Sequence, residues 1–207
     1  VLLILSNRLN KSTMTHILAI HGAYSSPFIF NYMKSQMPRT YKWQFFDYRK
    51  NPEGHMGPLI DQFQKCITDE CHVIGHSMGG ILALWLGENL AVRSITTIAT
   101  PLDGLDVSIF QSMLTRSPYI KEIAHGSKFL KHIHNQSYYM PVQHLISTKG
   151  YNPFIYEESD GVVTMRSQRG WNTGEVHDIP ANHAEVMMHD ETIGLVKDFI
   201  DINDDGL

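Results

Sequence analysis

The chain has 207 residues, of which 43% are hydrophobic and 18% charged, and this suits one domain with a core of its own. Such a composition excludes a disordered tail, a fibre or a linker. The formal net charge is −4 and the 17 Lys and Arg residues form no run, so we expect no nucleic-acid partner. One domain over residues 1–207 with one functional site is therefore predicted.

The sequence carries no strong signal for a membrane span, a secretory leader or a disulfide. Cys66 and Cys71 form neither a C-x-x-C pair nor part of a cysteine framework, so free thiols are expected. No apolar run approaches the ~20 residues of a membrane span, and we expect no integral membrane segment. The apolar opening Val1–Leu5 is too short for a secretory signal and follows no basic segment. We therefore expect a soluble cytoplasmic protein, of an oligomeric state that no feature of the sequence predicts.

Short apolar runs alternate with segments of helical periodicity along the first half of the chain. His16–Ile20 predicts a strand, and Phe28–Met37 predicts a helix that Pro38 closes. Trp43–Phe46 predicts a second strand, and Leu59–Ile67 predicts a second helix.

The alternation continues as far as residue 99. His72–Ile74 predicts a third strand, Met78–Leu90 a helix with a wide apolar face, and Ile95–Ala99 a fourth strand. This spacing indicates parallel β-α-β units, because parallel neighbours need a crossover that is usually a helix.

Residues 102–140 break the pattern. Helical pieces are predicted there over Ile109–Leu114 and Ile120–Leu130, with Pro118 and Gly126 as interruptions and no strand between them. We expect a helical insertion over one end of the sheet.

Strand and helix patterns then resume. Val142–Ser147 and Gly174–Ile179 predict two more strands, and Ala184–Ile200 predicts the last helix. The expected fold class is α/β, with a mostly parallel sheet of about six strands flanked by helices.

The stretch Gly75-His76-Ser77-Met78-Gly79 joins a predicted strand to a predicted helix, the setting that a G-x-S-x-G nucleophile elbow requires. A serine on so sharp a turn has a strained backbone, and side chains at the flanking glycines would collide with the neighbouring strand and helix. The turn presents the Ser77 hydroxyl above the sheet. The Met78 N–H, at the start of the helix, is then the natural donor to a developing negative charge.

With these residues the chain resembles an α/β-hydrolase of the lipase and esterase kind, and in particular the small, minimal-core bacterial lipases. The His-Gly pair at 21–22 matches the H-G pair of that family, and Gly75–Gly80 matches its elbow. The resemblance spans Thr15–Ile200 and implies the α/β-hydrolase fold, with the insertion at 102–140 in the place of a lid. It also implies that Ala23 supplies the second oxyanion N–H.

A serine hydroxyl is a weak nucleophile and needs a general base. In α/β-hydrolases the acid and then the histidine follow the serine along the chain. We favour His183, because it lies in the loop between the last strand and the last helix, from which this fold lets a histidine reach the elbow. His177 lies inside a predicted strand and His189 inside a predicted helix. The other histidines after the serine are His125, His132, His134 and His144.

The acid that orients the base is predicted at Asp160. It lies in an Asp-Gly-Val-Val stretch after the penultimate strand, which resembles a stretch of the lipases. An Asp-Gly pair is also a frequent turn signal in its own right. The rival acids are Glu157, Glu158 and Asp178.

Other polar residues are weaker candidates. Tyr24 and His76 are named for substrate binding, although Tyr24 equally suits closure of the first loop and His76 suits packing at the elbow. His132-x-His134 has a spacing found in metal sites, but no further ligand stands at a suggestive distance, so we expect no metal. No phosphate loop or dinucleotide pattern is present, and we expect no cofactor.

The function expected from these residues is hydrolysis of carboxylic esters through an acyl-enzyme with a Ser-His-Asp triad. The insertion would place a hydrophobic wall over the site, which favours a small-molecule or lipid-like ester. Thioester or amide cleavage and acyl transfer would use the same residues, and a binding protein of this fold without turnover is a further alternative. The apolar residues of the predicted wall are Ile109, Phe110, Met113, Leu114, Tyr119, Ile123, Phe129, Leu130, Tyr138, Tyr139 and Met140.

Overall fold

A single six-stranded sheet forms the centre of the molecule. In a computed structural model, the structure describes residues 14–50, 59, 62–63, 70–89, 92–105, 118–171 and 173–204. All five pairs of neighbouring strands are parallel, in the order β2-β1-β3-β4-β5-β6. This confirms the predicted fold class. The strands are β1 (His16–Ile20), β2 (Lys42–Phe46), β3 (Cys71–His76), β4 (Val92–Ile98), β5 (Val142–Ser147) and β6 (Glu175–Ile179).

Helices cover both faces of the sheet, as parallel strands require. One buried apolar cluster lies around α2 and the described part of the insertion, and a second lies against α1 and α6 on the other face. Because α2 is packed on nearly all sides, almost every residue in it is buried. The helices are α1 (Asn31–Gln36), α2 (Met78–Asn89), α3 (Pro118–Glu122), α4 (Lys128–His134), α5 (Met165–Arg169) and α6 (Asp190–Asp204).

Three predicted helices have different bounds in the structure. The first begins as a 3-10 turn over Pro27–Phe30 before α1 starts. The segment 120–130 is two helices, because the chain turns at Gly126, whose φ is +72°, and Ser127 then caps α4. Pro118 is the first residue of α3, a position that proline favours.

The last predicted helix is also divided. Glu185–Met188 is a 3-10 turn, and the backbone is extended at His189 before α6 begins. His189 therefore lies between two helical segments, and not inside one.

Two parts of the prediction fall largely outside the described residues. Of the helix predicted at 59–67, Leu59, Gln62 and Phe63 are helical, and Leu59 and Phe63 are buried. Of the insertion, residues 106–117, which include the predicted piece Ile109–Leu114, are not described, and neither is Cys66.

The described part of the insertion packs on the α2 face of the sheet through Tyr119, Ile120, Ile123, Leu130 and Ile133. Within the described ranges, no helix combines the length and the apolarity that a membrane crossing needs. The Cys71 thiol is free and buried, and burial raises its pKa to about 11.

The carboxyl end of α6 is hydrogen-bonded to residues near the amino ends of three strands. The Asp204 carboxylate accepts hydrogen bonds from the Thr15 hydroxyl, just before β1, and from Arg93 on β4 at 3.0 Å. One turn earlier, Asp201 accepts a hydrogen bond from the Tyr41 hydroxyl, beside β2. These contacts join the last helix to the amino ends of three strands.

Candidate functional site

Ser77 occupies a strained turn between β3 and α2. Its φ is +55°, a value uncommon for a residue other than glycine, and such a conformation costs on the order of 1–3 kcal/mol. The turn is held by its own backbone. The Ser77 N–H donates to the Ile98 carbonyl at 2.8 Å, and the Ser77 carbonyl accepts from the Gly80 N–H at 2.9 Å.

Glycines beside this turn allow a close backbone approach. A Cβ at Gly75 would overlap the backbone of Gly79, and a Cβ at Gly79 would overlap the carbonyl oxygen of Ile20 on β1. A side chain at either flanking glycine would therefore collide with neighbouring backbone, as the sequence predicts. A Cβ at Gly22 would lie 2.8 Å from the Ser77 Cβ, so the loop after β1 passes directly beside the serine.

The loop after β1 carries Ala23 and Tyr24. The Ser25 N–H donates to the Gly22 carbonyl at 3.3 Å, which closes a turn in which Tyr24 has a φ of +55°. The Tyr24 side chain is 55% exposed, so it lies at the surface of the site. Of the two roles predicted for Tyr24, the structure shows its place in the turn.

The His21 ring fixes the peptide that precedes Ala23. His21 is fully buried and stacks on Tyr48, with ring centroids 4.3 Å apart. Burial lowers the pKa of His21, its Nδ1–H donates to the Gly22 carbonyl at 2.8 Å, and its Nε2 lies 3.4 Å from Oδ1 of Asp47. In a trans peptide the C=O and the next N–H point in opposite directions, so this bond also sets the direction of the Ala23 N–H.

His183 and Asp160 are in direct contact. The Nδ1–H of His183 donates to Oδ2 of Asp160 at 2.7 Å, and the His183 backbone N–H donates to the Asp160 carbonyl at 3.0 Å. Both residues follow the carboxyl ends of the last two strands. With Nδ1 as the donor, the neutral imidazole carries its lone pair on Nε2.

The Asp160 carboxylate is held inside the protein by a turn of its own. It is 1% exposed, and its Oδ1 accepts from the N–H groups of Val162 at 2.9 Å and Val163 at 2.7 Å. Gly161 has a φ of +94°, so the Asp-Gly pair forms a turn. The same turn also positions the acid, so the two interpretations of this pair hold together. Gly150 packs so closely that a Cβ there would overlap the Asp160 carbonyl.

His76 connects the serine turn to the histidine loop. Its Nε2–H donates to the His183 carbonyl at 2.9 Å, and the two rings lie 4.9 Å apart. Burial lowers the pKa of His76 to about 3, and its Nδ1 has no hydrogen-bond partner among the described residues. His76 is therefore a neutral, buried residue, and its hydrogen bond joins the residue before Ser77 to the backbone of His183.

Two of the rival acids and two of the other histidines have different partners. Asp178 pairs with Arg169 at 2.6 Å, and Glu157 pairs with Arg166 at 3.2 Å. His132 pairs with Glu88 at 3.1 Å, whereas the Nε2–H of His134 donates to the Leu102 carbonyl at 2.7 Å. The described residues hold no cluster of side chains suited to a metal ion.

One buried contact of the acid has no counterpart in the sequence prediction. Gln168, on α5, donates from Nε2 to Oδ2 of Asp160 at 3.2 Å and is fully buried. It lies eight residues after the acid, in a polar segment without a recognised motif. Only the three-dimensional course of the loop brings it there.

Two comparisons of the whole sequence with known proteins find no match. None of the known protein-family models matches it, and no curated protein matches it. Several solved structures are similar to it in fold. A carboxylesterase from the ammonia-oxidizing thaumarchaeon Nitrososphaera gargenis is similar with a TM-score of 0.69 and 13% identity, over 96% of this chain and 94% of that one.

A second similar structure is an α/β-hydrolase enzyme from the metagenome of lagoon sediments at Mar Chica, Morocco. Its TM-score is 0.65 at 15% identity, and the similarity covers 92% of each chain. The chain has the α/β-hydrolase fold. An N-formylmaleamic acid deformylase from Pseudomonas putida S16 shares this fold too, with a TM-score of 0.60, 12% identity and coverage of 89% and 92%.

At such identities the α/β-hydrolase fold is what the neighbours have in common with this chain. Their names include an esterase and a deformylase, so one fold serves different bonds. The chemistry of this chain must therefore be argued from its own side chains.

Proposed function

We propose that this chain is a serine hydrolase that cleaves carboxylic esters through an acyl-enzyme. Ser77 is the nucleophile, His183 the general base and Asp160 the acid that orients the base. The observation that carries the proposal is the 2.7 Å bond between His183 and the buried Asp160, together with the bond of the His183 carbonyl to His76, the residue before the strained Ser77.

The proposed reaction begins at the Ser77 hydroxyl. Nε2 of His183 takes its proton while the oxygen attacks the carbonyl carbon of the ester. Asp160 keeps Nδ1 protonated and stabilises the imidazolium that forms. The same imidazolium then gives its proton to the departing alkoxide, and water repeats the sequence to release the acid.

Two backbone donors are proposed for the oxyanion. The Met78 N–H lies in the first turn of α2, where backbone N–H groups have no acceptor inside the helix. The Ala23 N–H lies in the loop that passes beside Ser77, in a peptide that His21 orients. Donors fixed in advance around a developing charge are worth roughly 10²- to 10³-fold each in turnover.

The substrate proposed is a small-molecule or lipid-like ester with an apolar acyl part. Residues 102–140 would act as a lid. Among the described residues of this segment, the apolar side chains of Tyr119, Ile123 and Leu130 pack on the α2 face of the sheet. Exposed Tyr24 would border the entrance. This mechanism needs neither a metal nor an organic cofactor. Amide cleavage is the second candidate, because a deformylase shares the fold.

A fluorophosphonate tests the nucleophile directly, because it labels an activated serine whatever ester or amide the enzyme cleaves. We expect a single adduct on Ser77 by peptide mass spectrometry, absent in Ser77→Ala and slowed at least about 100-fold in His183→Ala. His177→Ala, a half-buried histidine of β6 next to Glu175, is the matched control and should react like wild type.

A series of p-nitrophenyl esters, a thioester and an anilide then identifies the bond. Fastest turnover on apolar esters supports the proposal, whereas fastest turnover on the anilide assigns the site to amides. Folded wild type that forms no adduct would contradict the mechanism and favour a binding protein.

A further inference from the structure

Gln168 is a fully buried amide between the end of β5 and the Asp160 loop. Its Oε1 accepts from the Ser147 N–H at 2.9 Å, and its Nε2 donates to the Ser147 carbonyl at 3.0 Å. This reciprocal pair with one residue fixes which end of the amide is oxygen and which is nitrogen. The second hydrogen of Nε2 is thereby directed at Oδ2 of Asp160, 3.2 Å away, with the Val163 carbonyl a longer acceptor at 3.4 Å.

With Gln168 in place, the Asp160 carboxylate has no acceptor site left. Oδ1 accepts from Val162 and Val163, and Oδ2 accepts from His183 and Gln168. A carboxylate offers about four lone-pair positions, two on each oxygen. Four donors therefore hold the plane of the group, and the only donor among them that belongs to an ionisable side chain is His183.

The helix that bears Gln168 is itself anchored. Thr164 caps α5 by accepting from the Ser167 N–H at 3.1 Å, and the Ser167 carbonyl accepts from the Asp103 N–H at 2.9 Å. Ser147, the partner of the amide, also donates from its hydroxyl to the Ala181 carbonyl at 2.7 Å, two residues before His183. The amide thus lies in a frame that touches both the acid loop and the histidine loop.

We propose that Gln168 is a positioning residue for the reaction: it aligns Oδ2 of Asp160 with Nδ1 of His183 and occupies the one acceptor site on that oxygen that would otherwise be unpaired. This inference rests on the proposed function. Removing the donor leaves a buried carboxylate lone pair unsatisfied, and the group is then free to turn away from the imidazole.

The test is a double-mutant cycle of Gln168→Met and Asp160→Asn, read by kcat and KM on p-nitrophenyl butyrate and by the rate of fluorophosphonate labelling of Ser77. Gln168→Met is expected to lower kcat about 10- to 100-fold, with KM changed less than about twofold. In the Asp160→Asn background, the same substitution should change kcat less than about threefold, because its effect passes through Asp160.

Gln143→Met is the matched control. Gln143 is also a buried glutamine, and it donates to Thr96 at 2.9 Å on the sheet face that carries α6. It should lower the melting temperature and leave kcat within about twofold. Losses that multiply across the Gln168 cycle, or a Gln168→Met enzyme with wild-type kcat, would overturn the proposal.

A second variant guards against misfolding. Gln168→Glu keeps the size of the side chain and an oxygen acceptor for the Ser147 N–H, and it replaces the nitrogen that donates to Asp160 and to the Ser147 carbonyl. We expect it to lower kcat at least as much as Gln168→Met. If neither variant folds, Gln168 serves the fold alone and the positioning role is wrong. A wild type that does not label at Ser77 would instead refute the proposed function, so the two failures are distinguishable.

Discussion

Three residues other than glycine have a positive φ in the part of the chain that the structure describes: Tyr24, Ser77 and Ala99. They follow the carboxyl ends of β1, β3 and β4, which are neighbours in the sheet. Such conformations persist only where the surroundings impose them, and they cluster at functional sites. The strain therefore marks the edge of the sheet at which the proposed reaction takes place.

His21 is expected to matter through one hydrogen bond. His21→Leu removes the donor to the Gly22 carbonyl, so the Ala23 N–H loses its fixed direction, and kcat on an ester should fall about 10- to 100-fold. His21→Asn keeps a donor at the position of Nδ1 and should retain most of the activity. Steady-state kinetics of the two variants decide the matter, and equal losses in both would contradict the orienting role.

The elbow motif, the order of residues along the chain and the resemblance to lipases together nominate Ser77, Asp160 and His183, with other acids and histidines left as alternatives. The structure places Asp160 and His183 in contact. It also shows that their rivals Asp178 and Glu157 pair with arginines. Which carboxylate meets which histidine depends on loop paths, and a single sequence does not contain them.

At the scale of elements, strands were easier to predict than helix ends. A buried parallel strand is a short apolar run, and all six were found within three residues of their bounds. Helix ends depend on local turns. The backbone is extended at His189, but no proline or glycine stands there to predict the break between the 3-10 turn and α6.

Gly194 is a weak point of α6 that can be improved. It is exposed within the helix, and a Cβ there would meet nothing within 4 Å. Gly194→Ala should raise the free energy of unfolding by about 0.5–1 kcal/mol, because alanine loses less backbone entropy on folding. Urea denaturation measures the change.

Gly79→Ala is the contrasting control on α2. Its Cβ would overlap the Ile20 carbonyl, so the variant should be strongly destabilised. A loss of stability in Gly194→Ala would show that the exposed face of α6 has contacts beyond those described.

Buried neutral histidines set the acid stability of the whole molecule. Burial lowers the pKa of His76 to about 3 and of His144 to about 4, from 6.5. It lowers the pKa of His21 and His72 as well. Below pH 6.5 the unfolded chain binds more protons than the folded one at these sites. The free energy of unfolding should therefore fall as the pH falls from about 6.5 to about 4.

His144 isolates this effect. It lies on β5 beside Thr97, and desolvation is the one cause of its lowered pKa. His144→Gln should reduce the loss of unfolding free energy between pH 7.5 and pH 4.5 by about 2–3 kcal/mol. Urea denaturation at both pH values provides the test. His177→Gln serves as a control, and an unchanged loss in His144→Gln would refute the assignment.

The hydrogen bonds between α6 and the residues near the amino ends of β1, β2 and β4 have a consequence for synthesis on the ribosome. The serine turn is made before the proposed acid and base, which lie between β5 and α6, and α6 is bound to Thr15, Tyr41 and Arg93. A nascent chain would therefore carry an inert serine until its last helix has docked. In refolding experiments, the return of hydrolysis would report completion of the whole topology, later than any signal from the sheet alone.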